Sequence, residues 1–313
     1  MTESLHLVFC GTPQFAVPVL EKLVAAGFSV DRVATQPDRP RGRGLELVAS
    51  PVKQSALRLN LPTVEPERIK TNDEFRNQLA HLKPDAIIVV GYGRLIPQWM
   101  LDLPRFGNIN LHASLLPKYR GAAPIQWAIA KGETVTGVTT MRLDAGLDTG
   151  DILLQREVAI EPADTAETLA PRLASIGADL MIETLLRLQA GGIQPRAQDN
   201  AQATLAPILK KEDGAIDFSL PASEILNRMR GFQPWPGAYT KFRQKTLQIV
   251  RARPADEEVP QSELLVAGSR VLVGCGRNTS LELLDVQLEG KKRIAARDFL
   301  HGYRPRPGEK LGS

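Results

Sequence analysis

Residues 107–121, GNINLHASLLPKYRG, and the segment Asp144 to Asp151, DAGLDTGD, hold the side chains best suited to chemistry. Asn110 and His112 lie two positions apart, so on a strand they face the same way and can share one substrate. Asp148 is the carboxylate to pair with His112. An amide N–H can hold a developing oxyanion while an imidazole, oriented or charged by a carboxylate, handles the proton. Acyl transfer to an amine needs that combination. Taken singly, Asn110 could cap a turn, His112 could be a core histidine and Asp148 could begin a turn. As a set at this spacing, with Leu115, Leu116 and Pro117 close behind, they point to catalysis.

The elements that must position these residues follow from hydrophobic periodicity. A short apolar run at 5–10 meets Gly11 and Pro13, and Val17 to Ala26 has helical spacing. The alternation repeats: VDRVATQ (30–36), a helix from Pro51, PTVEP (62–66), a helix near 72–81, DAIIVV (85–90), a short helix after Pro97, then NINLHA (108–113). Continuous apolar strands between amphipathic helices imply an α/β fold, a Rossmann-like open parallel-rich sheet with helices on both faces. Ligands in such sheets gather at the carboxyl ends of the strands, where GYGRLIP (91–97) and the Asn110 segment emerge. GxGxxG is absent after the first strand and no acidic residue closes the second, which argues against NAD.

Two further strands, 136–143 and 151–160, flank the DTGD turn. Asp164 with Glu167 has the spacing of a capping box for a helix running toward Ala190, and Pro171 inside it should remove one hydrogen bond or bend it. Residues 191–208 mix Gly, Pro, Gln, Asn and Ala and read as a linker between a catalytic domain, 1–190, and a second domain, 209–313. The second domain shows short strands, AYTKFR, TLQIVRAR, RVLVGC and LELLDVQL, with helices at Ala222 to Arg230 and Ala295 to Leu300. A small β-barrel of the oligonucleotide-binding (OB-like) type fits that pattern.

A chain of 313 residues with 43% hydrophobic content is comfortable for two cores. Two distant cysteines, Cys10 and Cys275, make neither a disulfide framework nor a CxxC site, which fits a reducing cytoplasm. His6, His81 and His301 are isolated, so no metal is expected. The start, MTESLHLVFCG, lacks the apolar core of a signal peptide, and no apolar stretch approaches the roughly 20 residues of a membrane span. The net charge of +4 is uneven, because residues 209–313 carry 18 Lys and Arg against 13 Asp and Glu. A basic C-terminal third suggests a polyanion partner, although a solvated face would have the same composition.

The strings NxHxSLLPxYRGxxP (Asn110 to Pro124) and DxGxDTGD, with FCGTP (9–13), QPDRPRGRG (36–44), GYGRLIP and PWPGA (234–238), resemble the folate-dependent formyltransferase family over most of the chain. The resemblance implies formyl transfer from N10-formyltetrahydrofolate to the α-amine of methionine on initiator tRNA, for translation initiation, by a cytoplasmic monomer without metal. It places catalysis on Asn110, His112 and Asp148 and an OB-like domain at the C-terminus. It makes Ser114, Leu115, Leu116 and Pro117, with Gly91, Tyr92, Leu95 and Ile96, the folate pocket, with apolar walls and backbone groups for the pterin edge. Core packing is the rival reading for each leucine. Ser114 as a nucleophile is disfavoured, because the GxSxG elbow is missing.

Arg39, Arg41 and Arg43 lie within five positions among glycines, a composition suited to a mobile loop that orders on RNA phosphates. Arg43 matches the family's tRNA-reading arginine. Lys210, Lys211, Arg243, Lys245, Arg251, Arg253, Lys291, Lys292 and Arg293 are candidates for gripping the acceptor arm. Two other readings compete: the same chemistry on a sugar-nucleotide amine or glycinamide ribonucleotide, and a non-catalytic RNA-binding protein. Residues 209–313 and the arginine loop disfavour the former, and intact Asn110, His112 and Asp148 disfavour the latter.

Overall fold

The computed structural model describes residues 4–41, 46–306 and 308–312. Strand β1 (His6–Gly11) is almost wholly buried, as befits an apolar run covered on both faces. It leads through a short turn into α1 (Val17–Ala25), β2 (Ser29–Ala34), and a small hairpin of β3 (Arg39–Arg41) and β4 (Glu46–Val48). Helix α2 (Pro51–Arg58) starts sharply because the Ser50 hydroxyl accepts from the Lys53 N–H and Pro51 presets φ. Strand β5 (Thr63–Val64), α3 (Asp73–Leu82), β6 (Ala86–Val90), α4 (Gln98–Leu101) and β7 (Asn108–His112) follow. Asn72 caps α3 through the Phe75 N–H. Then come α5 (Pro124–Ala130), β8 (Val135–Arg142), β9 (Ile152–Ala159) and α6 (Ala166–Gln189).

These strands form one sheet in the order β5-β2-β1-β6-β7-β8-β9, parallel as far as β7 and antiparallel thereafter. The expected parallel-rich open sheet is therefore present, and its order reverses from β1 to the two sides, which opens a crevice beyond the carboxyl ends. Helix α6 covers one face of β7. Any Cβ at Gly177 would lie 2.6 Å from Leu111 Cδ2, so the glycine lets the helix seat on the leucine. Asn110 and His112 face the opposite way from Leu111, by strand alternation.

Contacts divide the chain into one unit of Met1–Pro124, Val135–Ala159 and Ala170–Ala206, and another of Ile125–Thr134, Ile160–Leu169 and Pro207–Ser313. In the second unit α7 (Ala222–Gly231), β10 (Tyr239–Phe242), β11 (Lys245–Ala255), β12 (Leu264–Ala267), β13 (Arg270–Cys275), β14 (Thr279–Leu288), β15 (Ile294–Ala295) and α8 (Ala296–Tyr303) build an antiparallel sheet. Its path is β10-β11-β14-β13-β12, with β15 on β14. Phe242 and Phe299 meet edge to face at 5.0 Å inside a core that includes Leu247, Val271 and Leu283. The path leaves β10 and β12 as its two edges, and residues 308–312 fill the seam. Gly308 N and Leu264 N donate to Leu264 O and Glu309 O, Leu311 N donates to Ser262 O, and Gly312 N reaches Lys241 O on β10. Leu311 drops into the core behind them. This barrel-like closure matches the expected OB-like architecture, with β12 and β15 added to the strands read from the sequence.

Three local expectations change. The cap of α6 is Thr165 with Thr168, each backbone N–H donating to the other's hydroxyl, because Asp164 is turned back to accept from Glu161 N and from the Thr168 hydroxyl. The helix then runs unbroken past Pro171. In the arginine loop the two flanks pair as β3 and β4 instead of remaining irregular. Residues 191–208, read as a linker, are bonded into the first unit as far as Ala206: Arg196 pairs with Ile152 on β9 in both directions, and Arg120 N donates to Thr204 O while Arg120 O accepts from Ala206 N. Their polar side chains mimic linker composition while serving as hydrogen-bonding partners. No helix among the described residues is long and apolar enough to cross a membrane.

Candidate active site

Strand β7 delivers Asn110 and His112 at its carboxyl end, where they are 8% and 6% exposed. The His112 Nε2 lies 2.8 Å from the Tyr119 carbonyl oxygen. A carbonyl only accepts, so Nε2 carries the proton and Nδ1 is the nitrogen left to bind another. Nδ1 faces Asp148 Oδ2 at 3.7 Å, too far for a direct hydrogen bond and close enough for an ion pair once the ring is charged. Asp148 Oδ2 is itself fixed by the Gly121 N–H at 2.8 Å. The amide of Asn110 has no hydrogen-bond partner among the described residues, so a donor stands uncommitted on the face it shares with His112.

The turn carrying Asp148 is closed by Asp144, whose carboxylate accepts the Thr149 hydroxyl at 2.7 and 2.8 Å and the Gly146 N–H at 3.0 Å. A Cβ at Gly150 would fall 1.9 Å from the Arg142 carbonyl oxygen, so only glycine lets the turn return to β9. Asp148 has φ +52°, a left-handed conformation that aspartate tolerates better than most residues.

The segment after His112 is strapped down by Thr139, whose hydroxyl donates to Ser114 O at 2.6 Å and accepts from Leu116 N and Gln155 Nε2. That exhausts its capacity of one donor and two acceptors. The Ser114 hydroxyl donates to Lys118 O at 2.6 Å, and its residue is fully buried. Leu115 lies over Gly137, Leu116 packs with Met141 and Ile152, and Pro117 is partly buried with its carbonyl accepting from Thr204 N. On the adjacent strand end, Gly91 has φ +57° and Tyr92 is buried, its hydroxyl without a partner among the described residues. Burial pushes the Tyr92 phenol well above its ordinary value. Ile96 packs against that cluster, whereas Leu95 is 87% exposed. Thus His112 and Asp148 come together, Asn110 lies on the His112 face of β7, Leu95 stands open after the adjacent strand, and Leu116 lies in the core.

Among the expected RNA contacts, Arg43 lies outside the described residues, and Arg41 pairs through its backbone with Glu46. Arg39 donates to Gln36 Oε1 at 3.0 Å, and Gln36 Nε2 in turn donates to Tyr92 O, which roots the hairpin on the GYGRLIP turn. In the barrel the arginines are already engaged: Arg243 with Glu309, Arg251 and Arg293 with Asp285, Arg253 with Glu282. The Arg293 hydrogen bond and the Arg251 charge hold the Asp285 carboxyl below its usual range. The exposed lysines Lys210, Lys211, Lys245, Lys291 and Lys292 make no ion pair among the described residues. No group of three or more His, Cys, Asp or Glu gathers as metal ligands would among the described residues.

Residues absent from the sequence reading complete the site: Thr139, Gln155, Arg120, Gln198 and Thr204, the last accepting the Tyr119 N–H at 2.9 Å. Arg120 sits inside the Asn110 to Pro124 string, and Thr139, Gln155, Gln198 and Thr204 lie in segments read only as strand or linker. The others are polar residues whose partners lie 16 to 85 positions away, which no local pattern encodes.

The model of the formyl transferase family matches residues 5–185, and that of its C-terminal domain matches 208–304. The chain is 65% identical over 306 residues to a methionyl-tRNA formyltransferase of Koribacter versatilis, covering 98% of both chains. It is 60% identical over 311 residues to one of Acidobacterium capsulatum, covering 99% of this chain and all of the other. Among solved structures, an N-formyltransferase from Helicobacter canadensis in complex with folinic acid and dTDP-3-aminofucose superposes with a TM-score of 0.66 at 20% identity. It covers 88% of this chain and 98% of its own. At that identity the likeness concerns the fold.

Proposed function

The chain belongs to the formyl transferase family in both its N-terminal and C-terminal parts, and from that premise we propose that it moves the formyl group of N10-formyltetrahydrofolate to the α-amine of methionyl-tRNA. The products are N-formylmethionyl-tRNA and tetrahydrofolate. Bound folate supplies an activated formyl group, and the residues present suit that task, since an uncommitted amide donor and a single free imidazole nitrogen share one face of β7.

The roles follow from the geometry. A free α-amine has a pKa of about 7.7, and esterification of the neighbouring carboxyl lowers it, so the nucleophile is largely neutral near pH 7 without a strong base. Asn110 donates to the oxygen that gains charge as the amine attacks. His112 takes up the proton released from nitrogen at Nδ1, because Nε2 is committed to Tyr119 O, and Asp148 then faces the imidazolium as its counter-charge. Gly91, Tyr92, Leu95 and Ile96 with Ser114 to Pro117 form the folate wall, Leu95 offering open apolar surface and the SLLP segment its backbone. Residues 1–190 carry the transfer and 209–313 grip the acceptor arm. There the unpaired Lys210, Lys211, Lys245, Lys291 and Lys292 reach phosphates more readily than arginines that must first leave a carboxylate.

The observation that carries the reading is the fixed tautomer of His112, which leaves Nδ1 facing Asp148 as the proton-accepting nitrogen. The test gives the protein N10-formyltetrahydrofolate with, in turn, charged initiator tRNA, free methionine and an amino-sugar nucleotide. Formylation of the tRNA is expected. Formylation of the sugar amine with the tRNA untouched would reject the proposed acceptor.

A further inference from the structure

Asp148 must be held in its left-handed conformation, which an L-residue keeps only where its surroundings enforce it. Asp144 closes the turn from within, and one side chain from outside ties its backbone. Gln198 Nε2 donates to Asp148 O at 2.8 Å and to Gly150 O at 2.7 Å, so both hydrogens of a single amide bridge the two ends of the turn. Its Oε1 accepts from Arg120 Nε at 3.0 Å and Nη2 at 2.7 Å. A guanidinium has donors only, so Oε1 has to face Arg120 and Nε2 has to face the turn. The orientation of the amide is thus dictated by its neighbour.

Arg120 is unusual in its own right. It is 7% exposed, its further bond goes to Asn200 Oδ1 at 2.9 Å, and it has no carboxylate partner among the described residues. A buried guanidinium would be better satisfied by a carboxylate at position 198. A carboxylate, however, could not donate to the two carbonyls. The same Arg120 precedes Gly121, whose N–H holds Asp148 Oδ2. One arginine therefore steers both the backbone of Asp148, through Gln198, and the position of its carboxylate, through the adjoining peptide.

Building on the function proposed above, we infer that Gln198, oriented by Arg120, is a positioning residue for formyl transfer. It sets the Asp148 turn so that Oδ2 lies opposite His112 Nδ1. It touches neither substrate nor reacting atoms and acts only through Asp148.

Gln198→Glu isolates the donor role, because glutamate keeps the volume and strengthens the bond to Arg120 while losing both N–H groups. Gln198→Leu removes both functions. For each, kcat, KM for both substrates, the pH–rate profile and the melting temperature are compared with wild type. We expect Q198E to keep the wild-type melting temperature and the KM for the formyl donor. Its kcat should drop by about 10- to 100-fold, the range set by a misplacement of about 1 Å, and the limb of the profile that reports the His112–Asp148 pair should be displaced. Full activity of Q198E with a superimposable profile overturns the inference. So does a loss of kcat that follows the folded fraction in both variants, or a Q198E chain that fails to fold, since the glutamine would then serve only the fold. Inactivity of wild type on charged tRNA would instead overturn the proposed function, and the wild-type control reports that separately.

Discussion

Two clamps in this chain are built alike from an arginine fork and a five-heavy-atom side chain, yet they use different chemistry. In the first unit Arg120 grips the neutral amide of Gln198, and the amide passes two hydrogen bonds to the Asp148 turn. In the barrel Arg243 grips the carboxylate of Glu309 through Nε at 2.6 Å and Nη2 at 2.9 Å, and also donates to Tyr303 O and Arg304 O. The first is buried and neutral on one side. The second is half open, with Arg243 46% exposed. Burying a carboxylate beside Asp148 would add a second negative charge where the proposed mechanism needs one, and an amide avoids that. At the barrel seam water solvates the charges, so an ion pair closes the tail at little desolvation cost. The site clamp is thus insensitive to pH and salt, and the seam clamp is sensitive to both.

That contrast can be broken at several points. The largest effect is expected at the residues the first clamp serves. His112→Ala should lower kcat by about 10²- to 10⁴-fold, and Asn110→Ala should raise the barrier by about 2.7–4 kcal/mol, both with unchanged thermal melts. Rates within a factor of a few of wild type would detach these side chains from the reaction. Next is Gly150→Ala, which forces a methyl to within 1.9 Å of Arg142 O. The turn must shift at a cost of about 1–3 kcal/mol, and calorimetry together with kcat should show stability and activity falling jointly.

Smaller is the seam. Arg243 holds the Glu309 carboxyl below its ordinary value by hydrogen bonding. A lowered folded-state pKa means that the stabilisation is complete above the unfolded value of about 4.3 and fades as pH falls through the folded value. Glu309→Gln should therefore cost about 0.5–1 kcal/mol near pH 7. The difference from wild type should shrink below about pH 4, and again in about 1 M salt, where the Debye length is about 3 Å. A salt-independent difference in urea melts would place the seam with the neutral clamp. Smallest in stability is Leu95→Ser, expected within about 0.5 kcal/mol of wild type because the side chain is exposed. Its KM for the formyl donor should still rise by about fivefold, equivalent to about 1 kcal/mol of lost apolar contact. An unchanged KM takes Leu95 out of the folate wall.

Much of this was legible beforehand, and the reasons are physical. The parallel strands announced themselves as continuous apolar runs because both of their faces are covered. Asn110 and His112 shared a face by the pleat alone, and the two-residue spacing needed no tertiary knowledge. The helices from Pro51 and near 72–81 followed from their spacing, whereas their caps, Ser50 and Asn72, are shown by the structure. The cap of α6 lies one residue beyond the local expectation because Asp164 and Thr165 are equally good caps locally, and the Glu161 N–H, donating to Asp164 from behind, decides between them. Residues 191–208 were read as a linker for a related reason. Gln198, Asn200 and Thr204 have the composition of a solvated connection, and nothing in their order shows that Arg120 and Tyr119 will claim them.

What the amino-acid order determined alone, then, was everything governed by short-range geometry: strand and helix periods, the shared face of Asn110 and His112, the glycine-bearing turn around Asp148, and the excess of basic residues beyond position 208. Tertiary structure decided which hydrogen-bond donors remain unspent. It committed His112 Nε2 to Tyr119, left the Asn110 amide uncommitted, assigned the barrel arginines to carboxylates while leaving the lysines unpaired, and gave the tail residues 308–312 the seam between β12 and β10. A hydrogen bond needs its partner within about 3 Å, and only the folded chain brings together groups that lie tens of residues apart.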